Sequence, residues 1–109
     1  FGYVSFIGAA RIGWSLRKIL APGSRLALEH GGQAPAILTE DADLKKAIPA
    51  LLKGSFYHAG QACISTQRIF VHESQYQNFL LQFVEETKKL KTADAREEDT
   101  QVGPLIRPQ

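Results

Sequence analysis

Apolar residues fall along this chain in short runs that switch between a strand-like and a helix-like period. Tyr3 to Ile7 (YVSFI) is aromatic and β-branched and bounded by glycines, which predicts a short strand. Beyond Gly8, the residues Ile12, Leu16, Ile19 and Leu20 recur at helical spacing, and Pro22-Gly23 stops that helix near Leu20. Arg25 to Glu29 (RLALE) reads as a second strand ahead of the Gly31-Gly32 turn, and Pro35 to Thr39 (PAILT) as a third. Asp41 is placed to cap the next helix, whose apolar face is Leu44, Ile48, Leu51, Leu52 and Phe56. Pro49 inside that pattern predicts a kink or disturbed early turns, and the helix should end by Gly60. Residues 67 to 72 (QRIFVH) predict another strand. Ser74-x-x-Gln77 has the form of a capping box, and Tyr76, Phe79, Leu80, Phe83, Val84 and Leu90 give a long amphipathic helix. From Thr92 onward the chain is charged and then turn-rich, without a regular period. Strands alternating with helices predict an α/β architecture with mostly parallel pairing.

Composition narrows the class without naming a function. The 109 residues suffice for one domain with a modest core, and 44% hydrophobic with 22% charged residues is ordinary for a soluble globular chain. No apolar run approaches the roughly 20 residues a membrane span needs, so no membrane partner is expected. The opening residues lack the basic start, apolar block and cleavage site of a secretory signal. A net charge of +2, scattered along the chain, gives no argument for a nucleic-acid partner. The local excess at Lys88, Lys89 and Lys91 suits a helix C-terminus and reads as a solvated face. A single cysteine excludes an internal disulfide and a cysteine-based zinc site, no metal site is expected, and a reducing, cytoplasmic compartment fits. The chain starts at Phe1 and holds no methionine, which reads as a piece of a longer protein.

Three places could carry chemistry. Gly8-Ala9-Ala10-Arg11-Ile12-Gly13 is a strand-to-helix turn whose free N–H groups would suit a phosphate, although it is not the G-x-G-x-x-G fingerprint. Taken alone, these residues favour a tight turn in which Gly13 permits close helix packing. Glu29 ends an apolar strand where open α/β sheets place ligands, and partial burial there would favour a general base. A lone glutamate is more often a surface or salt-bridged residue. Cys63, in Gly60-Gln61-Ala62-Cys63-Ile64-Ser65, lies in a helix-to-strand connection among small residues, a common place for a nucleophile. Lone cysteines are more often inert and buried. His58 and His30 allow a cysteine–histidine hydrolase reading, which their spacing does not favour over chance.

Taken in order, FIGAARIG, ALEHGGQAP, HAGQACIS, QRIFVHES and VGPLI resemble the aldehyde dehydrogenase superfamily, from about Val4 to Ile106. Glu29 and Cys63, 34 positions apart (63 − 29), match that family's Glu-x-Gly-Gly and Gly-Gln-x-Cys pair. The resemblance implies that Cys63 attacks an aldehyde to give a thiohemiacetal, that hydride loss to NAD or NADP leaves a thioester, and that Glu29 activates the water that hydrolyses it. It places Gly8, Ala9, Gly13 and Gly31 along the cofactor and makes the Cys63 N–H one donor of an oxyanion hole. It also implies a fragment of the aldehyde dehydrogenase fold, with residues 1–31 ending a Rossmann-like nucleotide-binding domain and 32–109 beginning a catalytic domain. Arg68, Phe70 and the helix after Ser74 would be scaffold. Relatives are usually dimers or tetramers, so a homo-oligomer is expected of the parent protein.

The chain departs from the family pattern at Ala9, where a serine is usual, at His30, where leucine is usual, and at Gln33 and Ala34. The family's oxyanion-hole asparagine and its Glu-x-Phe-Gly-Pro segment lie outside these 109 residues. The isolated chain is therefore expected to be inactive.

Overall fold

The computed structural model describes residues 1–107. Its chain forms two compact units, Phe1–Gly32 and Gln33–Gln109.

In the first unit, β1 (Tyr3–Ile7), α1 (Ala10–Ile19) and β2 (Arg25–Glu29) follow one another. The strands pair in parallel, Tyr3 with Arg25 through to Ile7 with Glu29, so α1 is their crossover. The amphipathic stripe predicted for α1 is present in sequence but not covered in this unit: Ile12 and Ile19 are exposed, and Gly13 is the helix's buried residue. Parallel sheets ordinarily bury both faces, and a single helix on a two-stranded ribbon cannot do that.

The second unit repeats the β–α–β plan: β3 (Ala34–Leu38), α2 (Leu44–Phe56), one 3₁₀ turn (Tyr57–Gly60), and β4 (Thr66–Val71) parallel to β3. Then comes α3 (Glu73–Lys88). The α/β class with parallel strands is as predicted. Strand pairing slips between Ala34 and Pro35, where Ala34 faces Thr66 but Pro35 faces Arg68. A proline has no N–H for the ladder, and an irregular position is where a strand tolerates one.

The core of this unit is Leu38, Leu44, Ile48, Leu51 and Phe79, flanked by Ala36, Ile69, Val71, Leu52 and Phe83. It is built from alternate positions of β3 and β4, the i, i+4, i+7 face of α2, and one side of α3. Phe79 and Phe83, one helical turn apart, stack at 5.2 Å. Ile37 and Phe70, register partners on the other sheet face, are exposed.

Two local expectations are corrected. The cap of α2 is Asp43, whose carboxylate accepts from the Lys45 N–H at 3.0 Å. Asp41 instead accepts the Thr39 hydroxyl at 2.6 Å, and that bond holds its carboxyl below the usual carboxylate range. Ser74 is not the cap of α3: the helix starts one residue earlier, and His72 caps it, its Nδ1 accepting from the Ser74 N–H at 3.4 Å. Pro49, where a kink or disturbed early turns was predicted, lies within α2, which runs through it as one helix.

The lysines near the end of α3 are solvated, as expected. Lys88 pairs with Glu85 and Lys89 with Glu86 one turn back, while Lys91 meets Glu97. In the irregular tail, Arg96 grips both carboxylate oxygens of Asp94, and this hydrogen bonding holds the Asp94 carboxyl below its usual range. No helix among the described residues is long and apolar enough to cross a membrane, and no His, Cys, Asp and Glu cluster there could hold a metal.

Candidate functional site

The first unit brings two of the sequence candidates to one end of its sheet. Gly8 leaves β1 and donates its N–H to the Glu29 carbonyl at 3.0 Å, so the Gly8 turn and Glu29 are neighbours at the strands' carboxyl ends. That is the edge at which open α/β sheets take ligands. Glu29 is exposed, so the partial burial expected of it is not supplied by this unit.

Helix α1 opens without a side-chain cap. Ala9 occupies the cap position, offers no side-chain acceptor, and no acidic residue follows in the first turn. Carbonyl bonding begins at Ile12 and Gly13, both of which donate to the Ala9 carbonyl, at 2.9 and 3.1 Å. The N–H groups of Ala10 and Arg11 precede that bonding, and the helix dipole adds to their attraction for an anion. A pyrophosphate fits this end on backbone grounds alone, without the serine hydroxyl that Ala9 lacks.

Gly13 has a packing duty. A Cβ there would fall inside contact distance of His30 Nε2, because the imidazole lies against the helix at this residue. Trp14 meets the same ring edge-on, with centroids 5.7 Å apart. His30 Nε2 is buried and has no hydrogen-bond partner among the described residues. The histidine in the family's leucine position thus serves as packing between β2 and α1. Gly13→Ala should destabilise the folded protein by about 1–3 kcal/mol through overpacking. His30→Ala should recover most of that loss in the double variant, as urea-unfolding midpoints of the four proteins would show. Additive losses would mean that the two residues do not meet. Gly31 follows, exposed, with open space on its side-chain face.

In the second unit, Cys63 is exposed and sits on a turn. Ser65 N–H donates to the Ala62 carbonyl at 3.0 Å, and the Ala62 N–H donates to Ser65 Oγ at 3.2 Å. These bonds close the turn Ala62–Ser65 with Cys63 and Ile64 at its crown. Ser65 is 2% exposed, so the crown stands on a buried anchor. The N–H of Cys63 has no acceptor among the described residues, which leaves it free to donate to an oxyanion. An apolar groove beside the turn is lined by Ala50, Tyr57, Ala62 and Ile64.

The chain enters this turn through an unusual backbone. His58, Ala59 and Gly60 have φ of 50°, 56° and 73°, a left-handed run that only glycine adopts freely. The His58 ring lies on Tyr57, centroids 4.1 Å apart, and no hydrogen bond joins His58 to Cys63 among the described residues. The hydrolase pairing therefore finds no support in this unit. Sequence reasoning passed over Gln61 and Ser65. A polar residue two positions on either side of a candidate nucleophile was the available signal.

Comparison with known proteins converges on one family. A sequence model described as the aldehyde dehydrogenase family matches residues 1–109. The lactaldehyde dehydrogenase of Methanocaldococcus jannaschii is 46% identical over 103 residues, covering 94% of this chain and 22% of that protein. Among solved structures, a glyceraldehyde-3-phosphate dehydrogenase of Methanocaldococcus jannaschii complexed with NADP superposes with a TM-score of 0.88 at 45% identity, over 96% of this chain and 23% of its own. Betaine aldehyde dehydrogenase of Staphylococcus aureus in complex with NAD+ gives 0.91 at 35% identity, over 98% and 21%. The chain thus spans about a fifth of the length of these relatives. With a family match over its whole length and close relatives across nearly all of it, this chain belongs to the aldehyde dehydrogenase family.

Proposed function

We propose that the polypeptide carrying this chain oxidises an aldehyde to a carboxylic acid, with NAD+ or NADP+ as the oxidant. The observation that carries this reading is the Cys63 turn: an exposed thiol on a crown pinned by buried Ser65, with its own N–H unclaimed. The Cys63 sulfur adds to the aldehyde carbon, and the oxygen that becomes negative is met by the Cys63 N–H. Loss of hydride leaves a thioester on Cys63. Glu29 then takes a proton from water as the water attacks that thioester, which releases the acid and restores the thiol.

The cofactor supplies the hydride acceptor. Gly8, Ala9 and the first turn of α1 are the residues that would hold its pyrophosphate, through the N–H groups of Ala10 and Arg11, with Gly13 and Gly31 alongside. Both NAD+ and NADP occur with the relatives named above, and nothing in the first unit selects between them. Residues 1–31 are assigned to the end of the nucleotide-binding domain and 32–109 to the start of the catalytic domain, a division supported by the boundary between the two units at Gly32. A reduced Cys63 suits a cytoplasmic location, and a homo-oligomer, dimeric or tetrameric, completes the proposal.

The test compares the full-length protein with the isolated 109-residue chain. Nicotinamide reduction is followed across a panel of aldehydes with each cofactor. Aldehyde-dependent reduction by the full-length protein and none by the isolated chain is expected. Absence of reduction by the full-length protein with every aldehyde, alongside hydrolysis of simple esters, would favour a thiol hydrolase instead.

A further inference from the structure

We infer that Gln61 is a positioning residue for the Cys63 turn, its carboxamide clamping the left-handed entry segment to the tail at Pro104–Ile106. His58 and Ala59 hold a backbone conformation that their side chains disfavour, so local preference alone would not keep the entry segment in place. Gln61 supplies bonds that do. Its N–H and its Nε2 both donate to the His58 carbonyl, at 3.1 and 2.9 Å. The same Nε2 approaches the Pro104 carbonyl at 3.5 Å, and Oε1 accepts the Ile106 N–H at 2.8 Å.

One side chain thus donates to the entry segment and accepts from a tail residue 45 positions away. The next residue, Ala62, is already the first residue of the nucleophile's turn. Only a carboxamide does both jobs at this length: glutamate keeps the acceptor and loses the donor while ionised, and alanine loses both. No hydrogen bond joins the Gln61 side chain to Cys63 among the described residues, so its influence passes through the backbone. Aiming a reacting group within an ångström is worth orders of magnitude in rate, which makes such a brace consequential.

The inference rests on Cys63 being the nucleophile, so its test uses a readout that does not depend on turnover. In the full-length protein, Gln61→Ala and Gln61→Glu are compared with the parent for kcat, cofactor KM and the rate of Cys63 alkylation by iodoacetamide. Expected for both variants at neutral pH is a change of about tenfold in kcat and in alkylation rate, the size of one net hydrogen bond, with cofactor KM within about twofold. As pH falls through the titration of the new carboxyl, Gln61→Glu should return toward the parent measured at the same pH, because the protonated acid regains a donor. Gln61→Ala should show no such return. Should Gln61→Ala fail to fold, the pH response of Gln61→Glu decides alone. Alkylation rates within about twofold of the parent in Gln61→Glu at every pH would overturn the clamp, whatever Cys63 itself does in catalysis.

Discussion

Cys63→Ser in the full-length protein should lower kcat/KM for aldehyde oxidation by at least about a thousandfold, roughly 4 kcal/mol of transition-state stabilisation. The substitution is nearly isosteric on an exposed turn, so the scaffold stays: Ser65 still anchors the crown, and the backbone N–H at position 63 remains. What is lost is the sulfur. A hydroxyl without an adjacent base is a poor nucleophile, and no imidazole is bonded to position 63 among the described residues to activate it. Cofactor affinity, proposed to rest on α1 and the Gly8 turn, should remain within about twofold. Steady-state kinetics and a cofactor titration of the variant check both halves. Retention of more than about a tenth of the parent's kcat/KM would remove Cys63 from the chemistry.

Glu29→Gln should act on the second half of the reaction and not on the first. Loss of a general base costs about 10²–10⁴ in rate, and here that cost falls on thioester hydrolysis. The variant should therefore release a rapid burst of reduced nicotinamide, about one equivalent per Cys63, and then turn over at least about a hundredfold more slowly than the parent. Stopped-flow mixing with aldehyde separates the two phases. A vanished burst with the same slow turnover would instead place Glu29 before hydride loss, as the base that activates the thiol. The exposure of Glu29 bears on this prediction. The first unit leaves its carboxylate open to water, the reactant it is proposed to activate.

How far the sequence could be read depended on how local each feature's cause is. The strand Tyr3–Ile7 and the strand Arg25–Glu29 have their predicted bounds, because nearby glycine and proline mark strand ends locally. Helix starts were less legible. Asp41 and Asp43 are both good caps two residues apart, and the choice between them is made by the Thr39 hydroxyl, which engages Asp41. Ser74 with Gln77 satisfied a capping pattern, yet the helix begins at Glu73, where the histidine before it can turn its ring nitrogen onto the first turn. Pro49 was expected to kink α2 or disturb its early turns, and the helix runs through it as one element. Pro49 sits on the exposed side of the helix, while Leu44, Ile48 and Leu51 hold the buried side in one piece.

The sites divide in the same way. Cys63 and Glu29 were visible as candidates from short motifs at a set spacing. The Gly13–His30 contact was not, since it joins residues 17 positions apart (30 − 13) through the fold of the first unit. Gly13 was singled out for the cofactor and for helix packing alike, and the packing is what the structure displays directly. The left-handed run from His58 and its brace at Gln61 were also hidden. Gly60 was the sole local sign of it, and the partner segment lies at the other end of the unit.

In the proposed reaction Cys63 carries the acyl group and Glu29 releases it. The most direct measurement is the mass of the Cys63-containing peptide after the full-length Glu29→Gln protein is mixed with aldehyde and oxidised cofactor and quenched in acid. This peptide should gain the mass of the acyl group, the gain should be absent without cofactor, and the parent protein should show far less of it. An unmodified Cys63 peptide in a variant that has released its burst, or an acyl group on another residue, would contradict the proposed reaction.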